Sequence, residues 1–369
     1  MKVTFQTQEL GRALERVQRA AQNKVTSNTN NGFFIACDKG RAEFQANDFS
    51  IGISTYCDAL IEEEGIAVIA SPQLLSTIKM MPPGPVVMEQ KKGETAVTFK
   101  AGSYSARFPT RDDEDFPNVS EIDHANHADM KCKDLAELVG MVSFAASTDI
   151  KNPIFVGILC EIEGNKITMA ATNSHRLAVK EMTLEKEAQG TGRFIVPAYV
   201  LQEVVRMFPS DEDAAVEISW ASKHVAFTFR DTYFVSNLIN GEYPDYKRVF
   251  PTTFDLHATL DLKEFEEAVR FVSPISRDMS YKTINFEFYE GELKAYEEDP
   301  DLGRSETSIP AELDGDDVRI IFNCIYIEDI LKHSKGDKII LHVKKSGPMV
   351  VEQEEDKTYR YVVTPMRGR

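Results

Sequence analysis

The side chains best suited to chemistry are carboxylates in three runs: Asp112-Asp113-Glu114-Asp115, Glu297-Glu298-Asp299, and Glu352 to Asp356. Carboxylates gathered on one face can hold a pair of divalent cations and cleave phosphodiesters, so a metal-dependent nuclease is one reading. The spacing argues against it, because each run is bunched along the chain as solvated loops are. His124 and His127 stand three apart and could share a metal. They fall in a linker with no further ligands nearby, and zinc needs more than two. The sequence has no Gly-x-Ser-x-Gly elbow, P-loop, Gly-x-Gly-x-x-Gly or His-Glu-x-x-His. We expect no catalytic group, no metal and no cofactor.

Cations form a second pattern. Arg12, Arg16 and Arg19 are spaced i, i+4, i+7, opposite the apolar stripe Leu10, Leu14, Val17 of the same helix, and Lys24 follows in the next loop. Lys79, Arg206, Arg270 and Lys332 lie on polar faces of other helical segments. An ordinary solvated helix face explains this pattern; so do helices turned toward a polyanion. The overall balance is acidic, with 42 Lys and Arg against 59 Asp and Glu and a net charge of −17. That balance opposes a simple nucleic-acid binder, which usually carries a basic excess.

The elements that must position these residues repeat. Leu10, Leu14, Val17 recurs as Leu135, Val139, Val142 and again as Phe265, Val269, Val272, close to thirds of the 369-residue chain. A second helix follows Ile69-Ala70-Ser71-Pro72, Ile195-Val196-Pro197-Ala198 and Phe322-Asn323-Cys324-Ile325. Between the two helices each repeat alternates as strands, split by Gly-containing turns at Gly40, Gly164 and Gly291. A repeat this long is a domain, not a solenoid module. The expected fold is α+β: three similar domains, each with two helices packed on antiparallel sheet, at 1–122, 128–248 and 254–369. Linkers are expected from Asn118 to Ala128 and from Lys247 to His257. A duplicated structural or adhesive protein would share this pattern, so the repeat establishes architecture and leaves function open.

Other bulk features narrow the class. The opening Met1-Lys2-Val3-Thr4-Phe5 lacks the apolar run of a signal peptide, and the apolar runs elsewhere are too short to span a bilayer. Five scattered cysteines (37, 57, 132, 160 and 324) without a Cys-x-x-Cys pair suit a reduced cytoplasmic setting and no membrane partner.

Three stretches resemble the β subunit of bacterial DNA polymerase III, the processivity clamp: Ala170 to Ala178 (AATNSHRLA), Tyr243 to Pro251 (YPDYKRVFP) and Tyr361 to Arg367 (YVVTPMR). Phe322-Asn323 before the last helix, and Ser147-Thr148-Asp149 with Pro153, are similar too. The resemblance covers the whole chain and is weakest in the first third. It implies a head-to-tail homodimer whose six domains close into a ring around double-stranded DNA, with helices lining the hole. A ring holds DNA by topology, so a mildly basic lining suffices and the outside can be acidic. The resemblance also implies a pocket for short apolar peptides from the replicative polymerase, the clamp loader and repair polymerases. Matched by position, that pocket uses Phe155, Thr172, His175, Arg176, Leu177, Pro244, Val249, Val362, Pro365 and Met366, with Asn173-Ser174 as a two-residue turn at its edge. The dimer contact is expected where the edge strand around Tyr104 to Phe108 meets the helix near Phe271 to Ile275. Departures from the family pattern are Asn173-Ser174 for the usual Asp-Gly, Thr364 for Met, Asn152 for Arg, and the added Gly368-Arg369.

Overall fold

The computed structural model describes residues 1–21, 32–38, 40–70, 72–114, 116–211, 213–278 and 281–366. Six α-helices are present among them: α1 (Thr7–Ala21), α2 (Gln73–Lys79), α3 (Cys132–Ser143), α4 (Ala198–Arg206), α5 (Leu262–Asp278) and α6 (Cys324–His333). The periodicity that predicts them is a burial pattern. On α1, Leu10, Leu14 and Val17 are fully buried with Ala13 and Ala20, and on α5 Phe265, Val269 and Val272 are buried in the same way. Helix starts are written locally: Asn323 caps α6, its side chain accepting from the Ile325 amide at 3.0 Å.

The three repeats pack into two compact units. One comprises Met1–Leu135, Glu185–Gly190 and Tyr199–Leu238; the other comprises Ala136–Leu184, Thr191–Ala198 and Ile239–Arg369. The middle repeat contributes to both because strands pair across repeats. In the first unit an eight-stranded antiparallel sheet joins Ile51–Asp58 of the first repeat to Thr232–Asn237, the last strand of the second. In the second unit a nine-stranded sheet joins Arg176–Thr183 of the second repeat to Tyr359–Val363, the last strand of the third. Each unit also has a smaller sheet. The first unit's five strands end at the edge strand Tyr104–Pro109, and the second unit's four end at Gly303–Pro310.

Helices cover one face of the sheets and bury apolar side chains against them, each fully buried Leu, Val or Phe contributing about 1.5–3 kcal/mol. Aromatic rings fill the third repeat's interior, where Phe286 lies 5.6 Å from Phe265 and 6.0 Å from Phe322. All five cysteines are free and buried. Burial pushes the thiols of Cys37, Cys57 and Cys160 up to about 12, so they behave as small apolar groups. No described helix is long and apolar enough to cross a membrane.

Candidate functional site

Three segments far apart in sequence meet in the second unit around a cavity of about 200 Å³. The first is the connection between strands Lys166–Thr172 and Arg176–Thr183. It spans residues 173–175, one more than the two-residue turn expected at Asn173-Ser174. Asn173 organises it: its Oδ1 accepts from the His175 amide at 3.0 Å and the Arg176 amide at 3.1 Å. Ser174 sits at φ 75°, the left-handed region that this tight reversal demands. Thr172 Oγ1 donates to the Arg176 carbonyl at 2.6 Å and squares off the strand end.

The second segment follows Tyr243-Pro244. Asp245 caps a single turn of 3₁₀ helix, Tyr246–Val249, which stands Val249 at the cavity mouth with 43% of its surface exposed. Tyr246 anchors that turn by donating its hydroxyl to Glu161 at 2.8 Å. Burial, with Glu161 beside it, raises the phenol's pKa well above the usual range. The third segment is the end of Tyr359–Val363, where the Thr364 amide donates to the His175 carbonyl at 2.9 Å and ties the chain terminus to the turn.

Arg176 is the one Lys or Arg in the lining of this largely apolar hollow. Its side chain is 9% exposed, donates to Asp329 at 2.6 Å and to the Phe144 carbonyl, and stacks on the Tyr326 ring at 4.6 Å. A guanidinium so committed shapes a wall; it does not swing out to meet a ligand.

Of the residues predicted for this pocket, Phe155, Thr172, His175, Arg176, Leu177, Pro244, Val249 and Val362 line it, together with Ser174, Tyr243, Tyr246 and Thr364. Pro365 and Met366 do not. The Met366 amide donates to the Ile321 carbonyl at 2.8 Å, which carries the chain end along the strand Val318–Asn323 instead. Tyr243 and Tyr246 lie inside the stretch that signalled the site, and their aromatic character was the available clue.

The expected DNA-facing cations are less free than their spacing suggests. Arg12 is exposed and pairs with Glu9 at 3.3 Å. Arg16 is half-buried, donates to Thr55 Oγ1 at 3.3 Å, and has its pKa lowered by desolvation. Arg19 is half-buried against Glu203, which Arg206 also contacts. The expected three-cation stripe is therefore one exposed cation and two turned against their own unit. Lys79 pairs with Glu15 at 3.1 Å, Arg270 with Glu266, and Lys332 with Asp329 at 3.5 Å. Exposed pairs of this kind are worth about 0–1 kcal/mol, so a phosphate can displace the carboxylate. Lys24 lies outside the described residues.

The expected dimer residues also divide. Tyr104 is 55% exposed on the edge strand and Phe271 is 60% exposed on α5, while Ile275 is half-buried. Phe108, on the same strand as Tyr104, is buried with its ring 6.0 Å from that of Phe99.

The acidic runs are committed locally. Buried Glu297 accepts from Asn285 at 3.0 Å, Glu298 pairs with Arg304 at 3.0 Å, and Asp356 pairs with Lys180. Asp112 accepts from the Glu114 amide at 3.1 Å, and Asp115 lies outside the described residues. His124 bonds Glu217 at 2.6 Å, and His127 bonds the His124 carbonyl at 2.8 Å. Among the described residues no three His, Cys, Asp or Glu are arranged to hold a metal ion.

Family comparison matches this architecture along its length. Models of the N-terminal, central and C-terminal domains of the DNA polymerase III beta subunit match residues 1–120, 129–245 and 247–367. The chain belongs to the DNA polymerase III beta subunit family. Curated relatives include the beta sliding clamp of Chlamydia muridarum, 24% identical over 368 residues, covering 100% of this chain and 99% of that protein. The beta sliding clamp of Streptomyces coelicolor is 25% identical over 378 residues, covering 100% and 99%. Among solved structures, the Bacillus subtilis DNA polymerase sliding clamp superposes with a TM-score of 0.95 at 22% identity, and the Thermotoga maritima beta subunit with 0.90 at 24%. Both cover 100% of each chain. The fold is the three-domain α+β fold of the sliding clamps.

Proposed function

We propose that this protein is a DNA sliding clamp: two copies close head to tail into a ring around duplex DNA and tether the replicative polymerase, the clamp loader and repair polymerases. The observation that carries this reading is the second unit's cavity, an apolar hollow assembled by the three stretches that resemble the family. A preformed apolar site with one fixed polar edge suits a short extended peptide with Leu or Phe anchors. The protein performs no reaction in this reading; it holds other proteins on their template, in the cytoplasm where that template lies.

Topological binding explains the acidic composition. A handful of phosphate contacts gives dissociation constants of only about 10⁻⁴–10⁻⁶ M, enough to slide on DNA and too weak to stay on it unaided. The three domains, 1–122, 128–248 and 254–369, supply the rotation that lets a heterologous contact close after two copies. Unpaired edge strands support the contact: Tyr104–Pro109 in the first unit and Gly303–Pro310 beside α5 in the second each present a free row of backbone groups. Exposed Tyr104 and Phe271 belong to this surface.

Protein loaded onto nicked circular DNA should co-elute with it through gel filtration and leave once the circle is cut. Equal retention on circular and linear DNA would remove the topological reading.

A further inference from the structure

The first unit holds a second cavity, of about 310 Å³, that the three family-like stretches do not touch. It is built from the same parts as the one already described, one repeat earlier. Asp48 Oδ1 accepts from the Ser50 amide at 2.9 Å and the Ile51 amide at 2.8 Å, as Asn173 does from His175 and Arg176. Phe49, at φ 67°, occupies the place of Ser174 at φ 75°. The Asn237 amide donates to the Ser50 carbonyl at 3.0 Å, as the Thr364 amide does to His175. Ile122, from the stretch after Phe116-Pro117, lines this cavity as Val249, after Tyr243-Pro244, lines the other.

The shared construction makes the differences informative. Where the second unit's cavity has Arg176 and Leu177, this one has Ile51 and Gly52. A Cβ on Gly52 would stand 3.1 Å from Val235 and 3.2 Å from Val119, so the floor is closely packed and apolar. Among the lining residues Glu121 is the one carboxylate and none is Lys or Arg, whereas the other cavity has Arg176 and no carboxylate. The first unit's cavity thus has an exposed carboxylate at its edge, where the second unit's has a guanidinium already paired with Asp329. At the lip, Phe49 is 63% exposed in a left-handed backbone conformation. A bulky residue there is strained, and most of its surface is in water. A ligand that buried the ring would recover apolar surface that the free protein leaves wet.

We propose that this cavity is a second docking site, taking an extended peptide of a protein partner in which an apolar anchor is flanked by Lys or Arg. The anchor lies between Phe49, Ile122 and Val235, and the cation meets Glu121. The inference rests on reading the second unit's cavity as a peptide pocket, because the common construction transfers the binding mode while the exposed Glu121 changes the preferred sequence.

The test uses the full-length protein and two fluorescein-labelled peptides, Lys-Leu-Phe-Lys and Ser-Asp-Leu-Phe, read by anisotropy. Two variants act on the first cavity and spare the fold: Glu121→Lys, at an exposed position, and Phe49→Asn, which tolerates the positive φ. Val249→Asn acts on the other cavity. The basic peptide should bind the unmodified protein and weaken at least about tenfold in each of the first two variants, with no change in the third. The acidic peptide should show the opposite pattern. Absence of saturable binding by the basic peptide, or weakening only in Val249→Asn, overturns the inference while the acidic peptide still binds. Failure of the acidic peptide alone overturns the reading of the second unit's cavity, and retention of the basic pattern then upholds the first cavity by itself.

Discussion

Replacing Val249 with Asn isolates peptide binding from folding. Val249 ends a one-turn 3₁₀ helix that is held by the Asp245 cap and by the Tyr246–Glu161 hydrogen bond, neither of which uses its side chain. With 43% of its surface exposed, it has that fraction of its burial still to gain when a peptide covers it. Full burial of a valine is worth about 1.5–3 kcal/mol, so the gain on docking is about 0.6–1.3 kcal/mol. An asparagine there forfeits that gain and carries an amide into an apolar contact, where an unsatisfied polar group costs about 1–3 kcal/mol. Together these come to about 1.6–4.3 kcal/mol, a loss of roughly fifteenfold or more in Kd. Anisotropy titration of a labelled peptide with Leu and Phe anchors measures this loss, and thermal unfolding should place the variant within about 0.5 kcal/mol of the parent. Unchanged peptide affinity in a folded Val249→Asn protein would show that the cavity around the 3₁₀ turn is not where the peptide sits.

Arg176→Ala should destabilise the second unit by about 1–3 kcal/mol in urea denaturation, because partly exposed Asp329 loses its nearer partner and keeps only Lys332. Arg176→Lys should restore little of this, since a point charge cannot bond Asp329 and the Phe144 carbonyl while lying on the Tyr326 ring. His342 gives a pH signature: burial lowers its pKa below the ordinary imidazole value, against the opposing pull of Glu352 and aided by His257 and Lys357. The unfolded chain then binds more protons than the native one, so stability should fall as pH drops from about 7 through the ordinary imidazole range. His342→Gln should flatten that part of a melting-temperature profile, and an unaltered slope would assign it to other groups. Arg12→Ala should lower the salt dependence of DNA binding by about one unit of slope, whereas Arg16→Ala should leave the slope alone and reduce stability, because that guanidinium is turned to Thr55.

Much of this was legible in the sequence, because helical and strand periodicity are local statements. The stripe Leu10, Leu14, Val17 and its two recurrences predict three helices, and the alternating runs between them predict antiparallel strands. Most of the second unit's cavity was legible too, since its walls coincide with the stretches that carry the family resemblance. Other features were decided only by the tertiary structure, because they depend on which distant segments meet. That Thr232–Asn237 pairs with Ile51–Asp58 and Tyr359–Val363 with Arg176–Thr183 makes the compact units straddle the repeats, and no local pattern encodes a partner strand so far along the chain. Side-chain direction was equally hidden. Arg16 and Arg19 share the periodicity of Arg12, yet a long side chain can fold back onto its own sheet or helix neighbour, and here both do. Met366 reads as apolar wall in a motif and is drawn off by a backbone hydrogen bond to Ile321. The cavity at Phe49 has no motif at all: it exists because one repeat's turn, the stretch after it and the next repeat's last strand close around an empty volume.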